Sequence, residues 1–135
     1  MAAAAGVCAL VHALVGWLCE RHEAGELPAP DPSWRIAENR WAACRHGLDA
    51  ELADLRTGEP RPARELLAER LDDLAATAAA LGCVDELGHA RRLLAANGAD
   101  RQRRAAAHGG GARAAARWLV DAFEPSVAPV GAVDG

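Results

Sequence analysis

The chain has 135 residues, 15 of them basic and 19 acidic, for a net charge of −4. That length makes one domain or a piece of one, and the mildly acidic balance excludes a general nucleic-acid binder. Hydrophobic residues make up 51% but aromatic ones only 4%, so the helix interfaces are thin and the independent core is modest. Every basic residue is an arginine, and tyrosine is absent. This bias reads as GC-rich coding rather than as selection for phosphate contacts.

The first apolar run, Met1 to Cys19, is interrupted only by His12. It is at the short limit for a membrane span, and no basic residue precedes it. A packed helix from about Ala3 to Ala24, stopped at Gly25, is the expectation. Val7, Val11, Leu14, Val15 and Leu18 are expected to line its inner face. The four cysteines, Cys8, Cys19, Cys44 and Cys83, match no zinc or redox spacing. Reduced, buried thiols in a cytoplasmic protein are therefore expected. Cys8, His12, Cys19 and His22 share one side of the helix. However, Cys8 and Cys19 stand about 16 Å apart along it, too far for one tetrahedral ion. The metal reading left is two half-sites completed by another chain, and no metal site is expected within this one.

Leu27-Pro28-Ala29-Pro30-Asp31-Pro32 reads as a stiff connector. A second helix follows, capped by Ser33 or Asp31 and ended by Gly47. Its segment Trp34 to Asp49 carries polar groups on every face. Trp34, Glu38, Trp41 and Arg45 fall on one side, and Ile36, Arg40, Ala43 and Gly47 on the other. That pattern predicts a helix enclosed on both sides, whose charges need partners from the protein or from a charged ligand. Glu38 pairing with an arginine, and Arg45 stacking on Trp41, would satisfy them from within. Leu48 to Leu55 reads as a strand, Arg56 to Glu59 as a turn, and Pro60 to Pro62 as an edge strand. So short a hairpin calls for another sheet, and the chain offers none.

A third helix is predicted from Pro62 or Ala63 to Gly82, with Leu66, Leu67, Leu71, Leu74, Ala78 and Leu81 as its stripe. Asp85 is expected to cap a fourth, with Leu87, Ala90, Leu93 and Leu94 inward and Asn97-Gly98 closing it. Asp100 to His108 makes a basic fifth helix, broken by Gly109-Gly110-Gly111. Ala112 to Phe123 makes a sixth, with Ala115, Trp118, Leu119 and Ala122 apolar. The tail from Glu124 to Gly135 is expected to be disordered.

Read together, these segments resemble a known family. Glu38-Asn39-Arg40-Trp41, Arg45 and Gly47-Leu48-Asp49-Ala50 are similar to a block in bacterial carboxylate–amine ligases of the type 2 glutamate–cysteine ligase family. Arg56-Thr57-Gly58-Glu59-Pro60, Pro62-Ala63-Arg64-Glu65-Leu66-Leu67 and Leu81-Gly82-Cys83 follow in the same order. Asn97-Gly98-Ala99, Arg101-Gln102-Arg103 and Trp118-Leu119-Val120 complete the series. Departures occur at Ala42, where a basic residue is common, His46, where tyrosine is, and Ala96, where glycine is.

The likeness covers roughly residues 7 to 123 and only the C-terminal third of the family. It implies a mainly α fold: a helical C-terminal segment with a short β-hairpin (about 48–62), detached from a glutamine-synthetase-like α+β ligase fold. Residues 1–123 would form that part and 124–135 the tail. It implies ATP and Mg2+ as cofactors of the complete enzyme, which joins a carboxylate to an amine through an acyl phosphate. The glutamate-rich strand and paired-histidine segment of the family do not occur here, and there is no lysine for a phosphate loop. The expectation is therefore a fragment or truncated product, inactive alone and binding neither cofactor by itself. Its partner would be the missing N-terminal catalytic portion or a homologous ligase subunit. Neither nucleic acid nor membrane is expected, and a homo-oligomer stays open.

In the complete enzyme, Arg40 or Arg45 would address phosphates or a carboxylate through the guanidinium fork. Asn39 would orient a substrate or a neighbouring loop. Arg101 and Arg103, beside the helix start at Asn97-Gly98-Ala99, would offer a second anion seat. The competing reading from another class is a non-enzymatic, all-helical interaction module.

Overall fold

The computed structural model describes residues 2–27 and 29–123. The predicted tail and Pro28 of the connector lie outside that range. In chain order come α1 (Ala2–Glu23), α2 (Ser33–His46) and a single 3-10 turn (Gly47–Asp49). Strands β1 (Glu51–Ala53) and β2 (Pro60–Pro62) follow, then α3 (Ala63–Asp73), α4 (Ala75–Ala80), α5 (Val84–Ala95), α6 (Gly98–Ala107) and α7 (Gly111–Phe123). The mainly α class with one short hairpin is what the sequence predicts. The chain divides into two units, Ala2–Leu94 and the α6–α7 pair.

In the first unit, Ala9 and Ala13 of α1 meet Leu71, Leu74 and Ala78 of the α3–α4 segment and Leu87 and Ala90 of α5. Leu10, Leu14 and Trp17 pack around that cluster. The expected valine stripe of α1 is thus not its inner face. Of those five residues only Leu14 turns inward, and Val7, Val11, Val15 and Leu18 face outward. The reason is close approach. A side-chain carbon at Gly6 would stand 2.6 Å from the Ala90 backbone nitrogen, and one at Gly16 would stand 3.0 Å from the Thr77 methyl. Alanine and glycine let α1 sit almost backbone to backbone on α5, which a valine ridge would prevent. At the far end of α1, the Trp17 ring lies between the Arg21 and Arg70 guanidiniums, at 4.3 and 4.7 Å. The Thr77 hydroxyl donates to Glu20 at 3.1 Å.

The predicted third helix is broken in two at Leu74, whose side chain is fully buried. Leu81 is exposed rather than part of the stripe. The second helix has Pro32 at its N-cap and no side-chain cap. Asp31 instead accepts from Arg35 at 2.7 Å. Nor does Asp85 sit before its helix: it lies in the first turn of α5, where its charge suits the dipole. The expected buried thiols are also overturned, since Cys8, Cys19 and Cys44 are exposed and Cys83 is half-buried.

In the second unit, α6 and α7 form a helical hairpin across Gly109 and Gly110, both at positive φ. Ala105 and Ala106 of α6, and Ala114, Ala115 and Trp118 of α7, are half-buried, while Leu119 is exposed. Asn97 begins α6 rather than ending α5. Its side chain accepts from the Asp100 N–H, and the Asp100 carboxylate accepts from the Asn97 N–H, a reciprocal capping box.

Candidate functional site

The strand predicted over Leu48 to Leu55 is only three residues long, because Leu48 and Asp49 belong to the 3-10 turn. β1 pairs with β2 antiparallel, Leu52 opposite Arg61. The second sheet that so short a hairpin was expected to need is replaced by one side chain. The Asn39 amide nitrogen donates to the Ala53 carbonyl at 2.8 Å, and its oxygen accepts from the Ala53 N–H at 2.8 Å. A primary amide presents the same donor and acceptor as a backbone peptide, so Asn39 completes the outer edge of β1 as another strand would.

The turn after β1 is organised by Asp54, which sequence reasoning passed over. Its carboxylate accepts from the N–H groups of Arg56 and Thr57, at 2.7 and 3.3 Å. Gly58 closes the turn at φ +80°, a conformation that favours glycine. An aspartate two residues before the turn amides, with a glycine following, is a turn signal the sequence did carry. Arg61 of β2 then reaches Asp54 at 3.3 Å and Glu69 of α3 at 2.5 Å. The backbone N–H of Arg56, helped by Arg61, holds the Asp54 carboxyl below its ordinary range. Arg61 does the same to Glu69, and both carboxylates push the guanidinium further up. Arg64 ties the base of the hairpin to Asp49 at 3.0 Å and to the Leu94 carbonyl.

These ties fix α2 on the hairpin but enclose neither of its faces. None of its residues is buried, and Trp34 and Trp41 are 61% and 62% exposed. The expected double enclosure is therefore not found among the described residues. The Arg45 guanidinium lies 5.6 Å over the Trp41 ring, as the internal reading expects. Glu38 makes no ion pair among the described residues. Arg40 is exposed. Five residues on, about 140° around the helix, Arg45 points elsewhere, so the two cations do not converge on one point. Arg101 and Arg103 belong to the α6–α7 unit, where both are exposed. There Arg103 pairs with Asp100 at 2.5 Å. At the start of α6 the Asp100 N–H is bonded to the Asn97 side chain.

Among the described residues, no three His, Cys, Asp or Glu side chains come together as a metal cage.

The model of the family described as Glutamate-cysteine ligase family 2 (GCS2) matches residues 1–121. The chain belongs to glutamate–cysteine ligase family 2. It is 48% identical over 80 residues to a Rhodococcus jostii protein named "Putative glutamate--cysteine ligase 2-2", covering 58% of this chain and 21% of that protein. A Corynebacterium jeikeium "Putative glutamate--cysteine ligase 2" is 43% identical over 110 residues, covering 80% of this chain and 28% of that one. A Nocardia farcinica relative with the same name as the first is 39% identical over 85 residues, 63% of this chain and 22% of its own. The chain thus spans about a quarter of the length of these relatives. No solved structure gives a significant match.

Proposed function

We propose that this chain is the C-terminal helical part of an ATP-dependent carboxylate–amine ligase of the glutamate–cysteine type, inactive alone. The supporting observation is the family match over residues 1–121, in a chain whose matched segments cover only 21–28% of its relatives. On this reading ATP and Mg2+ are held by the N-terminal catalytic portion or by a homologous ligase subunit, in the cytoplasm. ATP turns the substrate carboxylate into an acyl phosphate there, and an amine attacks it.

This chain contributes position and positive charge. Such chemistry gathers negative charge on phosphoryl and carboxyl oxygens, so cations held in a fixed direction carry much of the catalysis. α2 offers Arg40 and Arg45 at its solvent-facing surface, and Asn39 ties that helix to the hairpin. Arg101 and Arg103 are the second cationic pair.

The test is to co-express this chain with the part of the Rhodococcus jostii relative that it does not match, and to assay ATP-dependent amide formation across a panel of amino acids and amines. Coupling by the pair and by neither part alone is expected. Coupling by this chain alone, or none from the pair, overturns the reading.

A further inference from the structure

Among the described residues, nothing covers the valine ridge of α1. Val7, Val11, Val15 and Leu18 are 51%, 54%, 53% and 39% exposed. They form one stripe about 16 Å long, and no charged residue occurs between Ala2 and Cys19. At its C-terminal end the stripe opens into a shallow depression of about 290 Å³, lined by Val15, Leu18, Cys19, His22 and Glu23. β-Branched residues in a row on a helix present a stiff, apolar surface, and an exposed apolar patch of this kind marks an interaction site.

Three occupants compete: a lipid bilayer, a second copy, and the rest of the ligase. By length and composition alone, Ala3–Glu23 is long and apolar enough to cross a membrane. Its opposite face, however, is committed. Gly6 lies against the Ala90 backbone, and Ala9 and Ala13 cover Leu71, Leu74 and Leu87. Withdrawing α1 into lipid would strip that core. The family match begins at residue 1 and includes the whole of α1, so the helix belongs to the ligase fold itself. The relatives carry about three quarters of their length beyond the matched segment, enough to supply a covering surface.

We infer that the Val7–Val11–Val15–Leu18 ridge is the seam on which the remainder of the ligase polypeptide docks, through an uncharged, apolar face of its own. This rests on the proposed function and adds where the joint lies.

The experiment compares one pair of substitutions in two settings. Val11→Glu with Val15→Glu is made in this chain, and in a chimera whose matching segment of the Rhodococcus jostii relative is replaced by this chain. Ala116→Glu, at an exposed site in the middle of α7, serves as control. In the free chain the double variant melts within a few degrees of the parent, because both sites already face water. In the chimera it lowers the melting temperature by on the order of 10 °C, since two buried charges replace apolar contacts, and the control changes neither. Equal, small shifts in both settings overturn the inference while the chimera's activity leaves the proposed function standing. A chimera that neither folds nor couples overturns both. Sedimentation of the free chain as a dimer that the double variant dissolves, or its flotation with phospholipid vesicles, assigns the ridge to another occupant and also overturns it.

Discussion

Leu71, Leu74 and Ala78 hold the α3–α4 segment to α1 and α5 by apolar contact, whereas α2 buries no side chain and is held to β1 by the amide of Asn39. Both regions lie in one unit of the chain. The first is stable because surface leaves water. The second is stable because directional groups find each other, which makes it weaker but sets its orientation. On the proposed function, α2 offers cations to a reacting group, and that needs orientation without burial.

The comparison breaks most visibly at its apolar end. Leu74 is fully buried, so Leu74→Ala is expected to destabilise the chain by about 2–5 kcal/mol, read by chemical denaturation. A loss below about 1 kcal/mol would mean that the cluster does not carry the fold. Next is Gly6→Val, which places atoms where the Ala90 backbone already stands. A cost of about 1–3 kcal/mol is expected from overpacking, and the same change at exposed Gly98, where an added carbon meets nothing, should cost less.

At the polar end, Asn39→Ala removes two hydrogen bonds and should cost about 1–2 kcal/mol. Its signature is local. Amide hydrogen exchange should accelerate in β1 and α2 but not in α4 or α5. Uniform acceleration would show that Asn39 supports the whole fold rather than the hairpin alone.

The smallest effect is on pH. Asp54 and Glu69 have ordinary pKa values of 3.8 and 4.5, and both are lowered in the folded chain, by the Arg56 amide and by Arg61 respectively. Groups with depressed folded values stabilise fully above their ordinary range, and that contribution is lost as pH falls through the folded values. Melting temperature should therefore be level near neutrality and fall below about pH 4. Asp54→Asn together with Glu69→Gln should make that fall shallower. An unchanged acid limb would assign the loss to other carboxylates.

How much of this the sequence displayed follows the same division. Helical periodicity exposed the α3–α4 segment as one helix, and α5 and α7, because repeated leucine or alanine spacing marks a packing face, although Leu81 and Leu119 of those stripes are exposed. The reversed faces of α1 were hidden because periodicity marks an apolar stripe without saying what lies opposite. Valines look like core, and only the close backbone approach at Gly6 shows that alanines are. The Asn39–Ala53 and Asp54–Arg61–Glu69 ties join residues distant along the chain, so no local pattern announces them, although Asp54 ahead of Gly58 did signal the turn. Arg40 and Arg45 were visible as candidates by residue type alone. Their different directions and open exposure needed the helix in three dimensions.

On the proposed function, α2 is a braced platform holding cations for a ligase. This claim is tested most directly by steady-state kinetics of the chimera carrying Arg40→Gln, Arg45→Gln or Asn39→Ala. At least one arginine variant is expected to lower kcat or raise the KM of ATP or of the carboxylate about tenfold or more, the loss of a charge-assisted contact, with the melting temperature unchanged. Asn39→Ala should weaken the same parameter less, by loosening the platform. A folded, active chimera in which both arginine variants retain full kcat and KM would contradict the account.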